Sequence, residues 1–135
     1  MKEEERILRN SAICLDCNDE IISKFTHDFV TCKCGNLSVD GGSSYLKRNY
    51  NNIDSYKEIS VYDDGIHDTR RQNMRWGVNY DKDMNRLPNG TEWRLIKDLV
   101  TEHIQAILSG GYADNNSFYK GVFEEELKFR NNVSS

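Results

Sequence analysis

Residues 14–36 read CLDCNDEIISKFTHDFVTCKCGN, and this stretch holds every cysteine of a 135-residue chain. The spacing is Cys14-x2-Cys17, fourteen residues, then Cys32-x-Cys34 followed by Gly35. Two close pairs, each on one tight turn and separated by a hairpin's length, match what a tetrahedral four-thiolate zinc site requires. Gly35 suits the positive φ of such a knuckle. Four sulfurs complete the coordination shell, so His27 reads as a turn or surface residue, with Asp28 beside it as an anchor for the ring or the local backbone. A closed shell has no position for water or substrate, which makes the expected zinc structural and argues against metal-assisted hydrolysis. Two disulfides, or a redox dithiol at the first pair, are the alternatives. The start, MKEEERILRN, has no apolar signal core, so reduced thiols and a cytoplasmic location are expected.

Outward from the cysteines, residues 19–32 read as two short strands around a turn near Thr26, and NLSV after the second pair reads as a third. The expectation is an N-terminal four-cysteine zinc ribbon of three short antiparallel strands over residues 11–50, preceded by an N-terminal segment, residues 1–10. In such a module the metal substitutes for a core too small to fold alone. The turn formers of DGGSS, residues 40–44, mark its exit.

The composition is that of a globular protein, with 37% hydrophobic and 30% charged residues. No run reaches the roughly 18 apolar residues of a membrane helix. The net charge of −4 is spread thinly along the chain, without the concentrated cation excess that drives nucleic-acid affinity.

Residues 51–131 read as a small α+β region. YKEISVYD is an expected strand, DDGIHDTRRQNM a turn and short helix, and RWGVNY and EWRLIKDL strands flanking a polar loop. Thr101 is the expected cap of a helix over EHIQAIL, stopped at Ser109-Gly110-Gly111. In SFYKGVFEEELKFR, Tyr119, Val122, Phe123 and Leu127 share one helical face. The fold class is therefore α+β, ending in a two-helix hairpin with a tail at 132–135. The acidic runs Glu3 to Glu5 and Glu124 to Glu126 read as solvated helix faces.

Three further features invite a functional reading. Asp81, Asp83, Asn85 and Glu92 fall at calcium-loop spacing, but Arg86 and Pro88 occupy the positions that should be glycine and apolar, so a solvated hairpin loop is expected. Arg70, Arg71, Arg75 and Trp76 gather cations and a ring that can grip phosphates or stack on a base, with an amphipathic helix that has a solvated basic face, and Trp76 in the core, as the plainer reading. Gly41-Gly42, with Asp40, Tyr45 and Arg48 nearby, can aim amides at an anion, although a tight turn accounts for it more simply. No nucleophile, open metal position or cofactor loop is recognisable, so no enzymatic activity is expected.

The stretch NSAICLDCNDEIISKFTHDFVTCKCGNLSVDGGSSYLKRNY resembles the N-terminal ribbon of small bacteriophage-encoded proteins of unknown function. The residues that carry the resemblance, besides the cysteines, are His27, Asp28, Phe29, Val30, Val39, Asp40, Gly41, Gly42, Tyr45, Leu46 and Arg48. It continues through Arg75-Trp76-Gly77, LIKDLVTEHIQAIL and VFEEELKFR. Lys47 and the segment NYDKDMNRLPNGTE depart from it. The resemblance implies a phage origin and a zinc site. Together with small size and absent catalytic machinery, it leads to the expectation of an accessory protein that binds and modulates a host or defence protein in the host cytoplasm. Nucleic-acid binding and sequestration of a small anionic nucleotide are the alternatives.

Overall fold

Strand β1 (Ile7–Cys14) is the axis of the N-terminal half. Its alternation sends Leu8, Asn10, Ala12 and Cys14 inward, as the two-residue period of a strand demands. Residues 7–10, expected to precede the fold, are part of it because Leu8 and Asn10 are buried on that face. The computed structural model describes residues 6–81 and 83–134, so the acidic run Glu3 to Glu5 lies outside the described residues.

β2 (Glu20–Ser23) pairs antiparallel with β1. β3 (Val30–Thr31), β4 (Leu37–Asp40) and β5 (Lys47–Tyr50) form a second, three-stranded antiparallel sheet in that order. The expected hairpin between β2 and β3 does not form, since β2 pairs with β1 and β3 with β4. The reason is the tight loop over residues 24–29. There the Asp28 amide donates to the Phe25 carbonyl, the Asp28 carboxylate accepts from the Lys24 amide, and Ser23 Oγ donates to the Asp28 carbonyl at 2.7 Å. His27 takes the left-handed region at φ 71°. The loop carries the chain from one sheet to the other.

β6 (Tyr56–Glu58) and β7 (Val61–Tyr62) complete the first sheet on the free edge of β1, with Cys14 opposite Tyr56 and Arg9 opposite Val61. The strand expected over residues 56–63 is thus two short strands. The compact unit correspondingly runs to Asp64 rather than ending at residue 50, because β1 needs both neighbours to satisfy its backbone. Its core joins Ala12, Cys14, Ile21, Cys32, Leu37 and Val39, with Val30 and Tyr56 packed against them.

The second unit begins at Gly65. It contains α1 (His67–Asn73), the antiparallel pair β8 (Arg75–Val78) and β9 (Glu92–Leu95), a 3-10 turn (Ile96–Asp98), α2 (Thr101–Ser109) and α3 (Ser117–Ser134). Met74, Ile96, Ile104, Ile107, Val122 and Phe123 are buried, and α2 and α3 pack as a helical hairpin. α2 stops at Gly110, with Gly111 at φ 75°, as its sequence requires. Val100 rather than Thr101 is the cap residue. The Thr101 hydroxyl instead accepts from Arg130 Nη1 at 3.0 Å. α3 absorbs the expected tail at 132–135 as far as Ser134. The architecture is α+β, and among the described residues no helix is long and apolar enough to cross a membrane.

Candidate metal centre

Cys14 ends β1 on its inward face, so the first sulfur points into the core by strand alternation. The chain then turns tightly: the Cys14 amide donates to the Asp19 carbonyl at 3.0 Å, and the Leu15 amide to the Ser55 carbonyl at 2.8 Å. The second turn is built alike. The Cys32 amide donates to the Leu37 carbonyl at 2.9 Å, the Gly35 amide to the Cys32 carbonyl at 3.1 Å, and Gly35 sits at φ 82°. The expectation for this glycine holds.

Two carboxylates of the first turn clasp the second. Asp19 Oδ2 accepts from the Lys33 amide at 3.0 Å, and Asp16 Oδ2 from Asn36 Nδ2 at 3.1 Å. The four sulfurs consequently converge, all within 4.8 Å of one another. Cys34 Sγ lies 3.6 Å from both Cys14 Sγ and Cys32 Sγ. Sulfurs placed about 2.3 Å from a central ion define a tetrahedron with edges of about 3.8 Å. The cluster can hold a metal ion with little rearrangement. None of the four cysteines is bridged in the structure, and the 3.6 Å separations of Cys34 Sγ from Cys14 Sγ and Cys32 Sγ are those of metal ligands rather than of a disulfide.

Backbone amides favour thiolates here. Burial pushes the Cys32 thiol up, but the Leu37 amide, 3.4 Å from Cys32 Sγ, and the neighbouring sulfurs bring it down to about 6. Cys17 is also lowered: burial opposes the change, and the amides of Cys34 and Asp19 drive it. Cys34 accepts from the Asn36 amide, which lowers it, yet burial and the three sulfurs around it push it up to about 12. A divalent cation lying among the sulfurs would favour the thiolate form of each of them.

His27 is no part of the cluster among the described residues. Its Nδ1 lies 3.1 Å from the Tyr45 hydroxyl, and Tyr45 is pushed up by burial and then by the charge of Asp40. The loop with the two glycines is a tight turn. A Cβ on Gly41 would lie 1.9 Å from the Tyr45 carbonyl oxygen, and one on Gly42 2.3 Å from the Phe25 carbonyl carbon. The Gly42 amide is already given to Ser23 Oγ at 3.0 Å. Arg48 grips Glu58 with two hydrogen bonds, at 2.8 and 2.7 Å, and reaches Ser60 Oγ at 3.1 Å, so its guanidinium is part of the fold.

Asp40, Tyr45 and Arg48 belong to the first unit, and Arg70, Arg71, Arg75 and Trp76 to the second. Within the second, Arg71 binds Glu126 through two hydrogen bonds of 2.8 and 2.9 Å and lies over the Phe129 ring. Arg70 lies over Phe118, and Arg75 Nη1 donates to the Trp93 carbonyl at 2.8 Å. Trp76 packs edge-on against Phe123, with centroids 5.0 Å apart. The expected short helix is present, but Trp76 lies on β8 and is half-buried, and Arg71 is engaged by Glu126 rather than solvated. Asp81 Oδ1 accepts the Asp83 and Asn85 amides, both at 2.9 Å, while Glu92 pairs with Arg94, so the calcium-loop oxygens serve turn and strand.

Two residues were missed. Glu126, expected on a solvated face, is 0% exposed and also accepts from Arg130 Nε at 2.8 Å, with His67 Nε2 at 2.9 Å. Its place four residues after Val122 and four before Arg130 was the available signal. Asn10, 1% exposed, shares the two hydrogens of its Nδ2 among the carbonyls of Asp40, Gly42 and Tyr45, each at 3.0 Å. Its place in the inward register of β1, between Leu8 and Ala12, pointed to burial.

Residues 6–50 match the family described as a domain of unknown function (DUF7695). No curated protein and no solved structure matches the chain.

Proposed function

We propose that the four-sulfur cluster holds a structural zinc ion, and that the protein works by binding a macromolecular partner rather than by catalysis. The convergence of Cys14, Cys17, Cys32 and Cys34 within 4.8 Å carries the first part. All-sulfur tetrahedral sites select zinc or iron–sulfur centres, and a mononuclear site on two short turns suits zinc. Four thiolates leave no coordination position for a substrate. Metal analysis of untagged protein purified without chelator tests this: about one zinc per chain supports the reading, and a fully folded protein without metal overturns it.

The partner reading rests on the resemblance of the sequence to small phage proteins and on a rigid, metal-fastened scaffold that presents loops. It makes the protein a phage accessory factor that docks on a host protein, such as a defence or nucleic-acid-processing enzyme, and inhibits it. Near-stoichiometric co-purification of one bacterial protein, reproduced with both components purified, is the expected result. No complex between the purified components at micromolar concentration removes it. Nucleic-acid binding is less well supported, because Arg48 and Arg71 are engaged by carboxylates. Salt-sensitive oligonucleotide binding, lost when Arg70, Arg71 and Arg75 become alanine, is the result that reinstates it.

A further inference from the structure

The sulfurs differ in access. Cys14 and Cys32 are buried and Cys17 half-buried, whereas Cys34 is exposed. Cys34 Sγ also touches Cys14 Sγ at 3.6 Å across the two turns. A metal-bound thiolate keeps a nucleophilic electron pair, and exposure decides which one an oxidant meets. The outer sulfur therefore has a resolving thiol against it.

Two fastenings hold the sheets together without the metal. Asn10 pins the residue 40–45 turn through three carbonyls, and Arg48 on β5 is clamped to Glu58 on β6. Asn10 precedes Cys14 by four residues on the same face of β1, about 13 Å along the strand. The end of the unit remote from the sulfurs has its own attachment.

Resting on the zinc reading, we infer that the centre is a peroxide-operated latch: a hydroperoxide oxidises Cys34, Cys14 closes a disulfide onto it, and the ion leaves while the Asn10 end stays folded. The Cys34 thiolate attacks one peroxide oxygen and the O–O bond breaks, giving a sulfenic acid and, after protonation, water. The Cys14 thiolate then attacks Cys34 Sγ, the S–O bond breaks, and hydroxide leaves as a second water. Two thiolates lose two electrons, hydrogen peroxide gains them, and two protons come from solvent. Cys32 is a poorer resolving partner, because a single residue separates it from Cys34 and closing so small a ring distorts disulfide geometry. With two ligands gone, the remaining two thiolates hold zinc weakly, and the turns over residues 14–19 and 32–37 open.

The test treats metal-loaded full-length protein with hydrogen peroxide, following zinc release with a chromogenic chelator, disulfides by peptide mass spectrometry and opening by hydrogen exchange. The expected result is loss of about one zinc per chain, a dominant Cys14–Cys34 bridge, and exchange rising at least tenfold at the two turns while β4 and β5 stay protected. A thiol reductant with added zinc should restore the starting state. Cys34→Ser, checked for metal content, should release zinc at least tenfold more slowly; if it takes up no metal, the disulfide map of the unaltered chain decides. Zinc retained under conditions that fully oxidise a free thiol overturns the latch, as does release with scrambled or intermolecular disulfides or with global unfolding. Protein that never holds zinc fails before peroxide is added and refutes the metal reading instead.

Discussion

Replacing Glu126 with glutamine should be the most damaging single-charge change in the second unit. The carboxylate is wholly buried and is shared by Arg71, Arg130 and His67. Burial alone would raise it, but hydrogen bonds from Arg71, then Arg130, then His67 hold it at about 2, against an ordinary 4.5. At 1.36 kcal/mol per pH unit, that difference is worth about 3 kcal/mol of folding free energy at neutral pH. A unit of this size has roughly 4–10 kcal/mol in total. Because the folded-state value is depressed, the contribution is complete above about pH 4.5 and lost as pH falls through about 2. Glutamine keeps the shape but leaves two guanidiniums facing each other, so the loss should appear at pH 7 and the matching acid limb should vanish. Both tryptophans, Trp76 and Trp93, lie in this unit, so urea unfolding followed by tryptophan fluorescence reports on it. Glu125→Gln is the control: its exposed pairing with Lys128 at 3.9 Å is worth well under about 1 kcal/mol. If Glu126→Gln stays within about 1 kcal/mol of the parent at pH 7, or both proteins lose stability alike between pH 5 and 3, the buried ion cluster does not stabilise the unit as reasoned.

Asn10→Ala should cost about 2 kcal/mol, roughly 1 kcal/mol for each of the two Nδ2 hydrogens shared among the three carbonyls, and chemical denaturation with exchange read at residues 40–45 checks it. Asn10→Asp should be worse, since it sets a carboxylate against three carbonyl oxygens. Gly42→Ala should cost more than about 2 kcal/mol, because its Cβ would meet the Phe25 backbone at 2.3 Å and φ is 52°; a thermal midpoint unchanged within error contradicts this. Removing metal with a strong chelator in reducing buffer should abolish exchange protection at residues 14–19 and 32–37, with recovery on adding zinc. A fragment ending at residue 50 should give a poorly dispersed NMR spectrum even with zinc, whereas one ending at residue 64 should fold.

The cysteine cluster was legible because tight turns impose their own spacing: Cys-x2-Cys, Cys-x-Cys-Gly and the positive φ at Gly35 are local facts. The C-terminal helices were legible for the same reason, through helical periodicity and the Gly110-Gly111 stop. What could not be read was pairing across distance. A turn near Thr26 suggested that the strands on either side pair with each other, whereas the hydrogen bonds of Ser23 and Asp28 turn the chain out of one sheet and into the next. β1 was overlooked since ILRNSAIC carries a polar Asn10 on its inward face, and only the three carbonyls brought there from residues 40–45 make that burial tolerable. Glu126 was misplaced likewise: three consecutive glutamates look solvated until Arg71, 55 residues away, is known to face the third.

The family match ends at residue 50, but the physical module does not. Within residues 6–50 lie both cysteine turns, Asn10 and the strands it fastens. Outside it lie β6 and β7, which satisfy the second edge of β1, the Ser55 carbonyl that receives the Leu15 amide beside the first cysteine turn, and Glu58, which neutralises Arg48. Arg48 has only 8% of its side chain exposed, and an uncompensated guanidinium there would cost several kcal/mol. Residues 51–64 are therefore a structural part of the unit that carries the cysteine cluster. The four-sulfur cluster joins the two cysteine turns, Asn10 holds the opposite end, and the Arg48–Glu58 pair joins the two sheets between them. Because these three attachments are chemically independent, loss of one can loosen its own end without dissolving the rest.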